Sequence, residues 1–115
     1  MSELRVTLTL RVLTLEGLAL EAAAVAIVAP GEPGYLGILR NHAPLVTTLV
    51  PGKLTWRQAD GSRRAAQIGG GLLEVVRNQV TVLTETVSAV EPVTEWAHEG
   101  IHDIRRQENP GTGDI

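Results

Sequence analysis

The residues whose types and spacing best suit chemistry are His98, Glu99 and His102, which match His-Glu-x-x-His. Two imidazoles four apart share a helix face and can hold one zinc ion, with the glutamate serving as general base toward a bound water. Three features argue against that chemistry. A catalytic zinc needs a third protein ligand, and beyond His102 only Asp103, Glu108 and Asp114 follow. The extended motif wants a glycine and a third histidine further along, where this chain has Arg105 and Asn109. A protease also needs structural units on both sides of a substrate cleft, and a helix at the end of a sequence supplies one side only. The expectation is two histidines on a solvated face, with no metal ligand and no catalytic residue.

Glycine-rich stretches are the other candidates. Gly31-Glu32-Pro33-Gly34-Tyr35-Leu36-Gly37 lacks the Gly-Lys-Ser/Thr that would hold phosphate and magnesium. Gly69-Gly70-Gly71 is followed by a strand pattern rather than a helix N-terminus, so it too fails as a phosphate cradle. Both read as backbone devices that turn the chain.

Composition narrows the partners. The 115 residues carry a formal charge of −3, are 3% aromatic and contain no cysteine. A nucleic-acid platform therefore lacks both its electrostatic and its stacking terms. Disulfides, thiolate metal sites and thiol nucleophiles are excluded together, and a reducing compartment is expected. Glu16 and Glu21 interrupt the Leu/Ala-rich stretch from Leu13 to Ala29, which falls short of the ~18 apolar residues that mark a membrane span. The start of the chain alternates at once and has no signal-peptide pattern, so a cytoplasmic protein is expected.

The elements run mainly at a period of two. Leu4, Val6, Leu8, Leu10 and Val12 alternate with polar residues, as in a half-buried strand. At Val12-Leu13 the phase slips by one, which predicts a bulge or the start of a new segment there. Val25 to Ala29 is apolar on both faces and suits a strand between layers. Asp60-Gly61 predicts a two-residue hairpin turn between strands 53–59 and 62–68, and Arg77-Asn78-Gln79 a second turn between strands 72–76 and 80–84. A further strand at Val46 to Val50 ends at Pro51-Gly52. Many short strands with turn signals every ~8–12 residues indicate an all-β sandwich or barrel. After Pro92, Val93, Trp96, Ala97, Ile101 and Ile104 recur at helical spacing, and Asn109-Pro110-Gly111 ends that helix.

Six blocks of sequence carry a resemblance. They are Pro30-Gly31, Gly34-x-Leu36-Gly37-Ile38-Leu39, Asn41-His42-Ala43-Pro44-Leu45, Thr47-x-Leu49-x-Pro51-Gly52, Gly70-Gly71-x-Leu73-Glu74-Val75 and Val80-Thr81-Val82-Leu83. In order and spacing the chain resembles the epsilon subunit of F-type ATP synthases over about residues 10 to 90. The resemblance implies a mainly β fold, a ten-strand β-sandwich followed by one short C-terminal α-helix. It divides the chain into a sandwich at 1–91, a helix at 92–108 and a flexible tail at 109–115. It also implies a non-catalytic rotor subunit at the cytoplasmic face of the bacterial inner membrane, peripheral to it, with the gamma subunit and the c-ring as partners. Carried over by position, Gly34, Tyr35, Leu36 and His42 would face the c-ring and Thr47 would face gamma. The bland counterpart for His42 is a histidine bonded to its own turn. The competing class is a free-standing β-sandwich that binds a small ligand or peptide.

Two departures from the family matter. Some members carry an acidic residue at the position of Tyr35, so an aromatic contact replaces a charge pair there. Others bind ATP through Ile/Leu-Asp-x-x-Arg-Ala, where this chain reads Pro92-Val93-Thr94-Glu95-Trp96-Ala97. Valine stands for the aspartate and tryptophan for the arginine, so no nucleotide site and no other cofactor are expected. The usual pair of C-terminal helices is also reduced to one, and inhibition by extended helices is not expected. Calorimetric titration with ATP should show no binding; micromolar affinity would contradict this reading.

Overall fold

The computed structural model describes residues 7–92, and the helix and tail expected after Pro92 lie outside them. Eight strands follow in order: β1 (Leu8–Thr14), β2 (Gly17–Ala24), β3 (Ala26–Gly31), β4 (Gly34–Leu39), β5 (Leu45–Arg57), β6 (Arg63–Val76), β7 (Gln79–Thr84) and β8 (Val87–Pro92). The sequence suggests more and shorter strands, because Pro51-Gly52 and Gly69-Gly70-Gly71 look like strand ends. They are bends inside β5 and β6, which are 13 and 14 residues long.

Each long strand contributes one arm to each layer. The first arm of β5 pairs with the second arm of β6 (Leu45↔Val75 to Leu49↔Gly71), and the second arm of β5 pairs with the first arm of β6 (Lys53↔Gln67 to Arg57↔Arg63). One layer thus runs β2-β1-β7-β6-β5 and the other β4-β3-β5-β6-β8. Eight strands with two of them used twice make the ten arms of the expected sandwich. Strands that switch sheets at a bend are the standard way to build such a corner.

The corner dictates its residues. Gly70 and Gly71 have φ of +97° and +140°, a region that side-chain-bearing residues rarely occupy. A Cβ on Gly71 would overlap the Leu83 carbonyl oxygen of β7, and one on Gly70 would sit 3.2 Å from the Leu49 carbonyl oxygen. The Gly69 N–H donates to the Thr86 carbonyl (3.1 Å) and to Thr84 Oγ1 (3.2 Å), and the buried Thr84 hydroxyl donates in turn to the Thr86 carbonyl (3.3 Å). A bend that removes regular ladder bonds is thereby resatisfied from the end of β7 and the turn that follows it.

Between the layers, Leu8, Leu10 and Val12 of β1, Ile27 of β3, Ile38 of β4, Trp56 of β5, Leu73 of β6 and Val82 of β7 form one continuous buried cluster. The β1 alternation is as its sequence predicts, with Leu8, Leu10 and Val12 buried and Arg11 exposed. The register of β1 against β2 shifts between Val12 and Leu13, where the sequence breaks its pattern, but the extra residue is Ala19 of β2, and β1 itself stays in phase against β7 through Leu13. β3 is buried along its whole length, as an apolar-on-both-faces strand requires. β1 pairs with β7 in parallel, joining the start of the described chain to its last third.

The β5–β6 turn differs from expectation. Gly61 N–H bonds to the Gln58 carbonyl (2.9 Å), and of the Asp60-Gly61 pair only Gly61 has positive φ, +91°. A two-residue turn of the expected type needs positive φ at both. Asp60 instead accepts from the Ser62 hydroxyl (2.6 Å) and the Ser62 N–H (2.9 Å), which hold its carboxyl below the usual carboxylate range.

Replacing Gly71 by alanine puts a side chain into the β7 backbone at a positive φ. The expected cost is about 3 kcal/mol or more, read by urea denaturation. A loss below about 1 kcal/mol would show that the corner can relax.

Candidate functional site

Four of the five residues singled out by position converge on one groove. Gly34, Tyr35 and Leu36 open β4, the edge strand of one layer, and Thr47 lies on the first arm of β5, the edge strand of the other. Strand alternation turns Leu36 inward toward the core, and Leu45 and Thr47 inward from the opposite layer. With Pro33 these residues line an open groove of ≈ 290 Å³ at the mouth of the sandwich. Thr47 therefore faces the same groove as Gly34 to Leu36, rather than a separate side of the molecule.

Tyr35 is turned the other way, over the outer surface beside Pro30 and Gly52, with 36% of its surface exposed. Its ring is available for contact while its neighbour Leu36 plugs the core edge. No charged side chain lines the groove, so its chemistry is shape and apolar contact.

His42 stands in the loop between β4 and β5, half-buried. Its Nδ1 lies 2.7 Å from the Ala43 carbonyl oxygen, and because a carbonyl only accepts, Nδ1 carries the proton. The bland counterpart, a histidine bonded to its own turn, is thus present in the structure. The arrangement also fixes the ring and leaves Nε2 for another partner.

A second feature was not singled out from sequence. The outward residues Leu18, Leu13, Leu83 and Leu72 are successive cross-strand neighbours on β2, β1, β7 and β6, and Thr48 of β5 closes the row. Leu18, Leu83 and Leu72 are each nearly half exposed. At ~4.8 Å between strands the four leucines span about 15 Å of otherwise solvent-facing sheet. Leu13 faces outward by ordinary alternation after the buried Leu8, Leu10 and Val12, and the skipped residue Ala19 of β2 is what brings Leu18 opposite it.

None of this geometry forms an acid–base or metal constellation. Among the described residues no group of three His, Cys, Asp or Glu side chains is placed to hold a metal ion. His98, Glu99 and His102 lie outside the described residues, as do residues 93–97 of the departed nucleotide motif. Among the described residues no helix is long and apolar enough to cross a membrane.

The two faces of β4 predict a contrast. Leu36→Ala should cost about 2 kcal/mol, because it empties the edge of the core, and Tyr35→Ala less than about 1 kcal/mol, because its ring lies outside. Urea denaturation of both variants checks this; equal losses would mean that Tyr35 is part of the fold's support.

Comparison with known proteins agrees with the geometry. Residues 7–90 match the family model of the ATP synthase delta/epsilon chain β-sandwich domain. The ATP synthase epsilon chain of Moorella thermoacetica is 38% identical over 102 residues, covering 88% of this chain and 76% of that protein. The epsilon chain of Delftia acidovorans is 48% identical over 66 residues, 57% of this chain and 46% of its own length. The chain thus spans about half the length of some curated relatives and three quarters of another. Among solved structures, a chain of the Euglena gracilis mitochondrial ATP synthase OSCP/F1/c-ring assembly superposes with a TM-score of 0.68 at 25% identity, over 82% of this chain and 58% of that one. A chain of the Tetrahymena thermophila mitochondrial ATP synthase central stalk and c-ring shares the fold, with a TM-score of 0.58 at 18% identity over 70% of this chain and 65% of that one. By the family match across residues 7–90 and the 38% identity to an epsilon chain over most of both lengths, the chain belongs to the epsilon-chain family of F-type ATP synthases.

Proposed function

We propose that this chain is a non-catalytic subunit of the central rotor, joining gamma to the c-ring at the cytoplasmic face of a bacterial membrane. It would attach to that membrane only through the complex and would bind no nucleic acid. The observation that carries the proposal is the leucine row. A rigid sandwich that exposes Leu18, Leu83 and Leu72 side by side on one sheet face offers a permanent apolar docking surface. We assign that face to gamma, with Thr48 closing it on the bordering strand and Thr47 one residue away, turned into the groove.

The c-ring contact falls to the sandwich edge at Gly34, Tyr35 and Leu36 and to His42 in the adjoining loop. Tyr35 presents its aromatic ring there, and the groove beside it takes an apolar side chain rather than an ion. The domain has the stiffness that torque transfer requires, since β5 and β6 run unbroken through both layers and pair along almost their whole length. The structure of an assembled relative that includes the c-ring supports this placement at the level of the complex.

Co-expression of the full chain with gamma and c subunits from the same organism tests the reading. A stoichiometric complex is expected, and Leu72→Asp with Leu83→Asp should remove gamma without unfolding the sandwich, because both side chains are already half solvated. A chain that remains free in the presence of gamma and the c-ring would contradict the proposal and favour the free-standing binding module.

A further inference from the structure

The loop that carries His42 is held from across the molecule. Asn41 N–H donates to Asn78 Oδ1 at 2.7 Å, and Asn78 Nδ2 donates back to Asn41 Oδ1 at 3.3 Å. The two residues are 37 apart in sequence, one in the β4–β5 loop and the other in the β6–β7 turn. Both sit at φ of +65°, a left-handed conformation that asparagine tolerates better than other side-chain-bearing residues. The Asn78 carbonyl meanwhile accepts from Thr9 N–H of β1 at 2.9 Å. Asn78, in the β6–β7 turn, thus bonds both to β1 and to the His42 loop.

We propose that Asn78 is a positioning residue for the partner-facing loop 41–44, holding it in its docking conformation before the rotor partner arrives. The inference rests on the c-ring reading given above. Asn78 itself need touch no partner. The loop is short, and beside its own two bonds, His42 N–H to the Leu39 carbonyl (3.2 Å) and His42 Nδ1–H to the Ala43 carbonyl (2.7 Å), the two from Asn78 tie it to the rest of the sandwich. A loop left to sample several conformations lowers apparent affinity by the fraction of time it spends in the competent one. Ordering even two residues costs enough entropy to make that fraction small. Asn41 and Asn78 form the clasp, and His42 makes the contact.

The test uses the full chain and a detergent-solubilised rotor of gamma and c-ring from the same organism. Asn78→Gly keeps the positive φ and the backbone bond to Thr9 while deleting both side-chain bonds. The expected result is a melting temperature within a few degrees of the parent, faster hydrogen exchange at the Asn41 amide and about 10-fold weaker rotor binding. Asn41→Gly removes one bond only and should fall between, and the double variant should be no weaker than Asn78→Gly alone. Unchanged affinity with faster exchange would overturn the positioning role, and unchanged exchange would overturn the clasp. If Asn78→Gly does not fold, Asn41→Gly decides by the same two readouts. A parent chain that fails to bind the rotor overturns the c-ring reading itself, and the proposal with it, before any variant is compared.

Discussion

The fold depends on the close approach of Gly71 to the backbone of β7. Two long strands must cross from one layer to the other, and β6 does so at glycines that take a positive φ and leave no side chain to meet β7. Once Gly70 and Gly71 make that bend, β5 follows at Pro51-Gly52, and both halves of each strand are paired. The Thr84 hydroxyl and the Thr86 carbonyl occupy the bonds the bend leaves open. Everything offered to a partner is hung from this corner: the groove at one layer edge, the His42 loop at one end and the leucine row on one face.

Stiffness and exposure are therefore produced by the same arrangement. A sandwich with Trp56, Leu73 and Ile27 fully enclosed has little freedom to shear. The outward leucines are placed by geometry, Leu13, Leu72 and Leu83 by simple alternation with buried neighbours and Leu18 by the bulge at Ala19 that sets it opposite Leu13. An apolar residue placed outward on a rigid sheet stays outward, so it is available for a permanent partner without any rearrangement.

Much of this was legible in the sequence, for local reasons. The alternation of Leu8, Leu10 and Val12 marked β1, and the two-sided apolarity of Val25 to Ala29 marked an interior strand; the break at Val12-Leu13 marked where the β1–β2 register shifts, but not that the extra residue is Ala19 of β2. The corner was harder, because a glycine run inside a bent strand and a glycine run between two strands have the same composition. Long-range pairings were not legible. Nothing local joins β1 to β7 in parallel or Asn41 to Asn78, although asparagine at a turn position hinted at the left-handed backbone that brings the two together. Of the site, position alone marked Gly34, Tyr35, Leu36, His42 and Thr47. That Tyr35 faces outward while Leu36 and Thr47 share a groove required the register of β4 against β3 and of β5 against β6.

The central claim is that one edge and one face of this sandwich are rotor contacts, and hydrogen exchange of the full chain, free and bound to gamma with the c-ring, tests it most directly. The account predicts slowed exchange on binding from Gly34 to Thr48 and along the outer-face strands that carry Leu13, Leu72 and Leu83. Unchanged exchange in both regions, with protection falling only on the β5–β6 turn at Gln58 to Ser62, would contradict it.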